Sequence, residues 1–236
     1  EKIGNALHGG LSATELIGDR RPVDILIRMY TRSDRLGACL KVMVDAGAVI
    51  DAPLYAVLAD DEAALAQLLV EQPEMMNLRY TIPCAFTPLD DASLLHLCAE
   101  YGSIRCAQLL LDRGMDPDIR AGVDEQGLGG QTPIFHTVNA NANRSRPVME
   151  CLLQAGASPD LHVRGFVWGR GNEWETFIPE VNPVNYAMMG NLPQFHRSEE
   201  DIANNVRLLL RYLHGKEYEI RNVPNAYVAR SRKISS

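Results

Sequence analysis

An all-α fold made of stacked two-helix units, an α-solenoid of about five helix-turn-helix modules, is what this sequence predicts. Three observations carry that expectation. Short apolar segments at helical spacing come in pairs, Gly and Ser punctuate the pairs, and the paired pattern recurs along the chain. The 236 residues are 46% hydrophobic and 22% charged, an ordinary balance for a chain that buries a core. A repeat architecture grows by adding units, so this length does not demand several separate cores.

Residues 1–20 are read as a capping segment ahead of the first unit. That unit opens at Arg21-Pro22-Val23-Asp24 and runs through Leu40, Met43 and Val44 to Ala46-Gly47-Ala48. The second opens at Ala52-Pro53-Leu54-Tyr55 and continues through Ala66, Leu69 and Val70 to Pro73. The third, 93–114, is the most informative. Its first helix covers Leu94 to Glu100 and its second Ile104 to Arg113, with Tyr101-Gly102-Ser103 between them. Gly102 suits the left-handed residue that ends one helix, Ser103 suits the N-cap of the next, and Gly114 closes the second helix. A fourth unit opens at Thr132-Pro133-Ile134-Phe135 and ends at Met149, Leu152, Leu153 and Ala155-Gly156-Ala157. The fifth opens at Asn182-Pro183-Val184-Asn185 and reaches Val206, Leu209, Leu210 and Leu213-His214-Gly215, leaving 216–236 as a tail.

Physical reasons fix these offsets. Proline is tolerated at the first helical position, where its missing N–H costs nothing, and a Thr or Asn just before it can cap. One hairpin is too small to bury its apolar face alone, so neighbours must seal one another. Each fully buried Leu contributes about 1.5–3 kcal/mol. The expected core is Leu40, Val44, Leu54, Leu69, Leu95, Cys98, Leu110, Leu111, Leu152, Leu153 and Leu209.

These residues resemble the ankyrin repeat family. Thr132-Pro133, Leu94-Leu95-His96, Gly102, Leu110-Leu111, Leu152-Leu153 and Gly156-Ala157 match its pattern, and Asp51, Asn77, Asp118 and Asp160 fall at its closing polar position. The resemblance extends over about residues 21–215, one repeat domain. It implies protein–protein interaction, with partners docking on a concave face and its rim. It also implies that His96 bridges backbone groups of neighbouring units, and that His136, displaced by one position, does so imperfectly.

The units open at 21, 52, 93, 132 and 182, against a family period of about 33 residues, so several carry inserted loops. The longest, 158–181, has β-branched and aromatic residues in Val163 to Trp168 and Glu173 to Ile178, on both sides of Gly169-Arg170-Gly171-Asn172, and predicts a β-hairpin at 163–178 with those two segments as its strands. Both tryptophans lie in it. Trp168, Arg170, Glu173, Trp174 and Phe177 are therefore candidate partner-binding residues, since aromatics with Arg anchor interfaces. Packing of the hairpin back onto the repeats accounts for the same residues equally well. Asn141 and Asn143, in the Asn-rich turn of the fourth unit, are secondary candidates. The glycine-rich loop Pro117–Gln131 looks flexible, and no Lys-Ser/Thr follows to make a phosphate loop. Ser198 before Glu199, Glu200 and Asp201 reads as a helix start, and this explains His196 beside those carboxylates better than a metal site does.

No catalytic set emerges. HExxH and GxSxG are absent, and Cys98 and His96, two apart on a helix, face different directions. An enzyme is not expected, nor a metal, a cofactor or a small-molecule substrate. The formal charge of −7 excludes the basic surface a duplex binder needs, and the one basic run, Arg230, Arg232 and Lys233, reads as a solvated terminus. No apolar run approaches the ~20 residues that span a bilayer. Five cysteines without CxxC spacing suggest small core residues in a reducing compartment, hence a cytoplasmic protein. The expected role is a module binding a protein partner, with a structural or self-associating subunit as the alternative and an enzyme with a loop-built site as a third reading.

Overall fold

A computed structural model describes residues 2–10, 12–29, 32–83, 87–189 and 198–220. Among them are α1 (Lys2–His8), α2 (Pro22–Arg28), α3 (Leu36–Asp45), α4 (Ala52–Leu58), α5 (Glu62–Glu71), α6 (Leu94–Tyr101), α7 (Ile104–Asp112), α8 (Pro133–Thr137), α9 (Arg146–Gln154), α10 (Pro183–Met189) and α11 (Glu199–His214). Two antiparallel two-stranded sheets interrupt them: β1 (Arg79–Ile82) with β2 (Leu89–Ser93), and β3 (Val163–Trp168) with β4 (Thr176–Val181).

The all-α class is thereby corrected to helices with two small sheets. The residues inserted between α5 and α6 do not stay irregular. Arg79-Tyr80-Thr81-Ile82 is β-branched and aromatic, and it pairs with Leu89–Ser93 through Arg79↔Ser93, Tyr80↔Ala92 and Ile82↔Leu89. The second hairpin runs from 163 to 181, with Trp168 opposite Thr176 and Val163 opposite Val181.

Helices pack in two rows. In one, α4 lies on α6, α6 on α8 and α8 on α10; in the other, α5 lies on α7 and α7 on α9. The second helices of three pairs stop in the same way. Met115 N–H donates to the Leu110 carbonyl and Gly114 to Leu111; Ala157 and Gly156 do the same to Leu152 and Leu153, and Ala48 and Gly47 to Met43 and Val44. Those three glycines have φ of +87°, +95° and +97° respectively, the left-handed position of the Schellman motif. Between α6 and α7, Gly102 (φ +74°) ends the first helix, and Ser103 donates its hydroxyl to the Val57 carbonyl instead of capping α7. Asp60 (φ +50°) takes the corresponding place between α4 and α5, and its carboxylate accepts the Cys106 N–H at 3.0 Å, tying that turn to α7.

Leu40, Leu69, Leu95, Cys98, Leu110, Leu152, Leu153 and Leu209 are buried, whereas Val44, Leu54 and Leu111 are half-buried. Leu110 and Leu111 differ because successive helix residues diverge by about 100°, so an adjacent pair shares one apolar face only partly. The hairpin joins the helical core through Phe166, whose ring meets Phe135 of α8 at 6.3 Å and Tyr186 of α10 at 5.2 Å between centroids. No described helix is long and apolar enough to cross a membrane.

Candidate partner-binding surface

The β3–β4 hairpin presents its residues unevenly. Trp168 is buried at 6% exposure, while Trp174 and Phe177 are exposed at 45% and 52%. β4 begins at Thr176, not at Glu173 as the sequence suggests. Trp174 consequently belongs to the turn and folds over Trp168, with ring centroids 5.1 Å apart. Glu173 is exposed on the same turn. Arg170 reaches Asp90 at 3.6 Å and Asp124 at 3.9 Å. Five of the candidate residues thus sit on one element, with Trp168 supporting Trp174 from beneath. The other two lie on the 3₁₀ turn Asn141–Asn143, both half-buried, and Asn143 Oδ1 accepts a hydrogen bond of 2.7 Å from Asn205 of α11.

The loop expected to be flexible is pinned to this hairpin. Gly129 N–H donates to the Gly165 carbonyl at 2.8 Å, and Arg164 Nη1 to the Gln126 carbonyl at 3.2 Å. Asp124 Oδ1 accepts from the N–H groups of Gln126 and Leu128, which closes the loop on itself.

A buried polar trio escaped sequence reasoning. The linker residue Arg32 donates through Nη1 to Glu100 Oε1 and to the Glu100 carbonyl, both at 3.0 Å, and stacks its guanidinium 4.1 Å from the centre of the Tyr101 ring. On the other side His136 Nδ1 lies 3.0 Å from Glu100 Oε2. Burial would push the Glu100 carboxyl up, but the Arg32 charge and the His136 hydrogen bond outweigh it and hold the carboxyl below its ordinary value. The only trace of this in the sequence is a carboxylate inside the apolar segment 94–101. The adjoining cavity, lined by Thr87, Asn139 and Arg144, measures about 10 Å³, room for at most about one water. A substrate does not fit there.

His96 is wholly buried on α6. Its Nδ1 accepts from the Ser93 N–H at 3.2 Å and meets Ser93 Oγ at 2.8 Å, so Nε2 carries the proton and donates to the Gln131 carbonyl at 2.9 Å. The imidazole therefore bridges the start of its own helix pair to the segment that opens the next. Burial first, and His136 nearby second, lower its pKa to about 3. Burial also raises the thiols of Cys98, Cys106 and Cys151, the opposite of what a nucleophilic cysteine needs. Among the described residues no group of His, Cys, Asp or Glu converges to hold a metal ion. His196, Arg197, Arg230, Arg232 and Lys233 fall outside the described residues.

Two open grooves lie among the described residues. The larger, about 660 Å³, lies beside the α4–α5 and α6–α7 turns, and its charges neutralise one another through Arg105–Asp60 and Arg144–Asp34. The other, about 490 Å³, runs beside the hairpin turn between Arg20, Arg28 and Arg170.

Comparison with known proteins places a family on one part of the chain. Residues 90–121 match the family model for the ankyrin repeat. They hold most of β2, all of α6 and α7, and the Schellman turn that follows. The chain is also 28% identical over 112 residues to the E3 ubiquitin-protein ligase HACE1 of Danio rerio, an alignment that takes in 48% of this chain and 11% of that protein. The family match covers one repeat, so the sequence-based reading of five such units is narrowed to the 90–121 segment.

Proposed function

We propose that the chain, which carries an ankyrin repeat at 90–121, is a protein-binding module whose partner docks on the β3–β4 hairpin and the adjoining inserted loops. The observation supporting this is the exposure of Trp174 and Phe177 on an element whose base is locked into the core by Phe166. Large aromatics held rigid at a surface lose little conformational freedom on binding and serve as interface anchors. Arg170 and Glu173 flank them as polar contacts. Asn141 and Asn143 belong to the secondary contact set, with a concave face between. On this reading the repeat domain comprises 21–215, preceded by a capping segment 1–20 and followed by a tail 216–236. Nucleic acid, membrane and small-molecule ligands, and a catalytic reaction, stand outside the proposal. The compartment proposed is the cytoplasm, on the ground that Cys39, Cys98, Cys106 and Cys151 are free thiols.

The test is affinity capture with native protein beside Trp174→Ala/Phe177→Ala. Loss of two anchors should weaken a recovered partner at least tenfold, as hot-spot truncations of about 2 kcal/mol do, with the melting temperature unchanged. Equal recovery by both proteins would remove the hairpin as the docking element. Concentration-dependent sedimentation with no other partner would instead favour a self-associating subunit.

A further inference from the structure

The groove beside the hairpin turn indicates the chemistry of the partner. We infer that it takes an acidic, carboxylate-rich segment of a protein, an assignment that rests on the binding role proposed above and extends it. Three arginines line it from separate elements: Arg20 from the turn before α2, Arg28 from the last turn of α2 and Arg170 from the hairpin turn. Among the described residues the one carboxylate lining the groove is Asp90.

These charges are only loosely offset: among the described residues Arg28 has no ion pair, and the pairs of Arg20 and Arg170 are long. Arg20 stands 3.6 Å from Asp19, and Arg170 3.6 Å and 3.9 Å from Asp90 and Asp124, all longer than charge-assisted hydrogen bonds. Among the described residues none of the three guanidiniums donates a hydrogen bond, whereas Arg32, Arg79, Arg120 and Arg164 all do. Each guanidinium offers five N–H donors in a planar fork that fits a carboxylate with two parallel bonds. Ile82, Pro83 and Pro88 give the groove apolar walls, and its volume admits several side chains. The surrounding molecule is acidic, at −7 overall. An acidic segment is therefore repelled across most of the surface and drawn to this place, which sets register as well as affinity. In the larger groove both arginines donate hydrogen bonds to carboxylates, Arg105 to Asp60 at 3.3 Å and Arg144 to Asp34 at 3.0 Å.

The test uses the full chain and a fluorescein-labelled deca-glutamate peptide, followed by anisotropy at about 50 mM salt, where the Debye length exceeds 10 Å. Saturable binding is expected, weakening with added salt. Arg20→Glu/Arg28→Glu/Arg170→Glu should weaken it at least tenfold. The neutral triple Arg20→Gln/Arg28→Gln/Arg170→Gln should do so by a smaller factor, and it covers the case in which charge reversal disturbs folding. Lys2→Glu/Lys41→Glu/Lys216→Glu, the same charge change on exposed residues elsewhere, should bind like the native chain. Trp174→Ala/Phe177→Ala should also bind the peptide as before, so failure of the hairpin anchor and failure of the groove are read separately. Absence of peptide binding, or equal losses in the groove and control triples, overturns the assignment. Displacement of the peptide by inorganic phosphate or by a single-stranded oligonucleotide at lower concentration than by unlabelled deca-glutamate also overturns it, because the site would then select phosphate.

Discussion

At the scale of single residues, His96 joins the stability of the protein to pH. The fold holds its ring neutral with a pKa near 3, while in the unfolded chain a histidine titrates near 6.5. Below about 6.5 the unfolded state takes up a proton that the folded state refuses, so stability falls as pH drops toward 3. Between pH 7 and pH 5 the loss from this one group is about 2 kcal/mol. The Glu100 carboxyl, also depressed in the fold, has a linkage of the same sign that acts at lower pH. Its contribution is complete above the unfolded value of about 4.3 and disappears only as pH falls through its folded value. Melts at pH 7 and pH 5 should therefore isolate the histidine, and His96→Gln should flatten the difference. A slope that survives the substitution would show that some other group is responsible.

Among the elements, the β3–β4 hairpin depends on one backbone position. Gly165 has φ of +145°, and a Cβ there would lie 2.6 Å from the Ile178 carbonyl oxygen and 3.0 Å from the Phe177 ring. Gly165→Ala is expected to destabilise the hairpin by about 1–3 kcal/mol. Both tryptophans of the chain lie in it, so a red-shifted tryptophan emission with helical circular dichroism retained is the signature; unchanged emission would contradict it. How legible each element was follows from the range of the interactions that fix it. The Gly102, Gly114 and Gly156 turns, the proline-led α8 and α10 and the Ser198–Asp201 capping box of α11 rest on contacts within a few residues, and their residue types announce them. β1 and β2 were not legible, because Leu89-Asp90-Asp91-Ala92 becomes a strand only through its pairing with Arg79–Ile82. The start of β4 was misplaced for a similar reason. Trp174 has strand propensity, yet contact with Trp168 draws it into the turn. Of the candidate site, the hairpin and its aromatics could be read from composition, but the burial of Trp168 and the placing of Arg20, Arg28 and Arg170 along one groove depend on how distant segments meet.

For the molecule as a whole, Arg32 sets the organisation apart from a simple row of neighbours. The α2–α3 linker passes the α4–α5 pair and inserts its guanidinium beside Glu100 on α6, while the Tyr101 hydroxyl donates to the Ile27 carbonyl at 2.9 Å. The Arg32 and Glu100 side chains are only 4% and 8% exposed. Arg32→Leu should cost about 3–5 kcal/mol of unfolding free energy, since it strands a buried carboxylate. Arg32→Leu/Glu100→Leu should cost less than the two single changes summed, by about 1–3 kcal/mol. Strictly additive urea-melt energies would show that the two groups do not act as a unit.

That same insertion imposes an order on biosynthesis. A ribosome delivers the chain from its N-terminal side, at about 5–20 residues per second. Arg32 emerges long before Glu100, 68 positions later, and His136 follows a further 36 on. The helices on either side of Arg32 must therefore wait for α6 and α8 before their linker can be seated, and until then a nascent chain shows a guanidinium and an apolar flank that the folded protein hides.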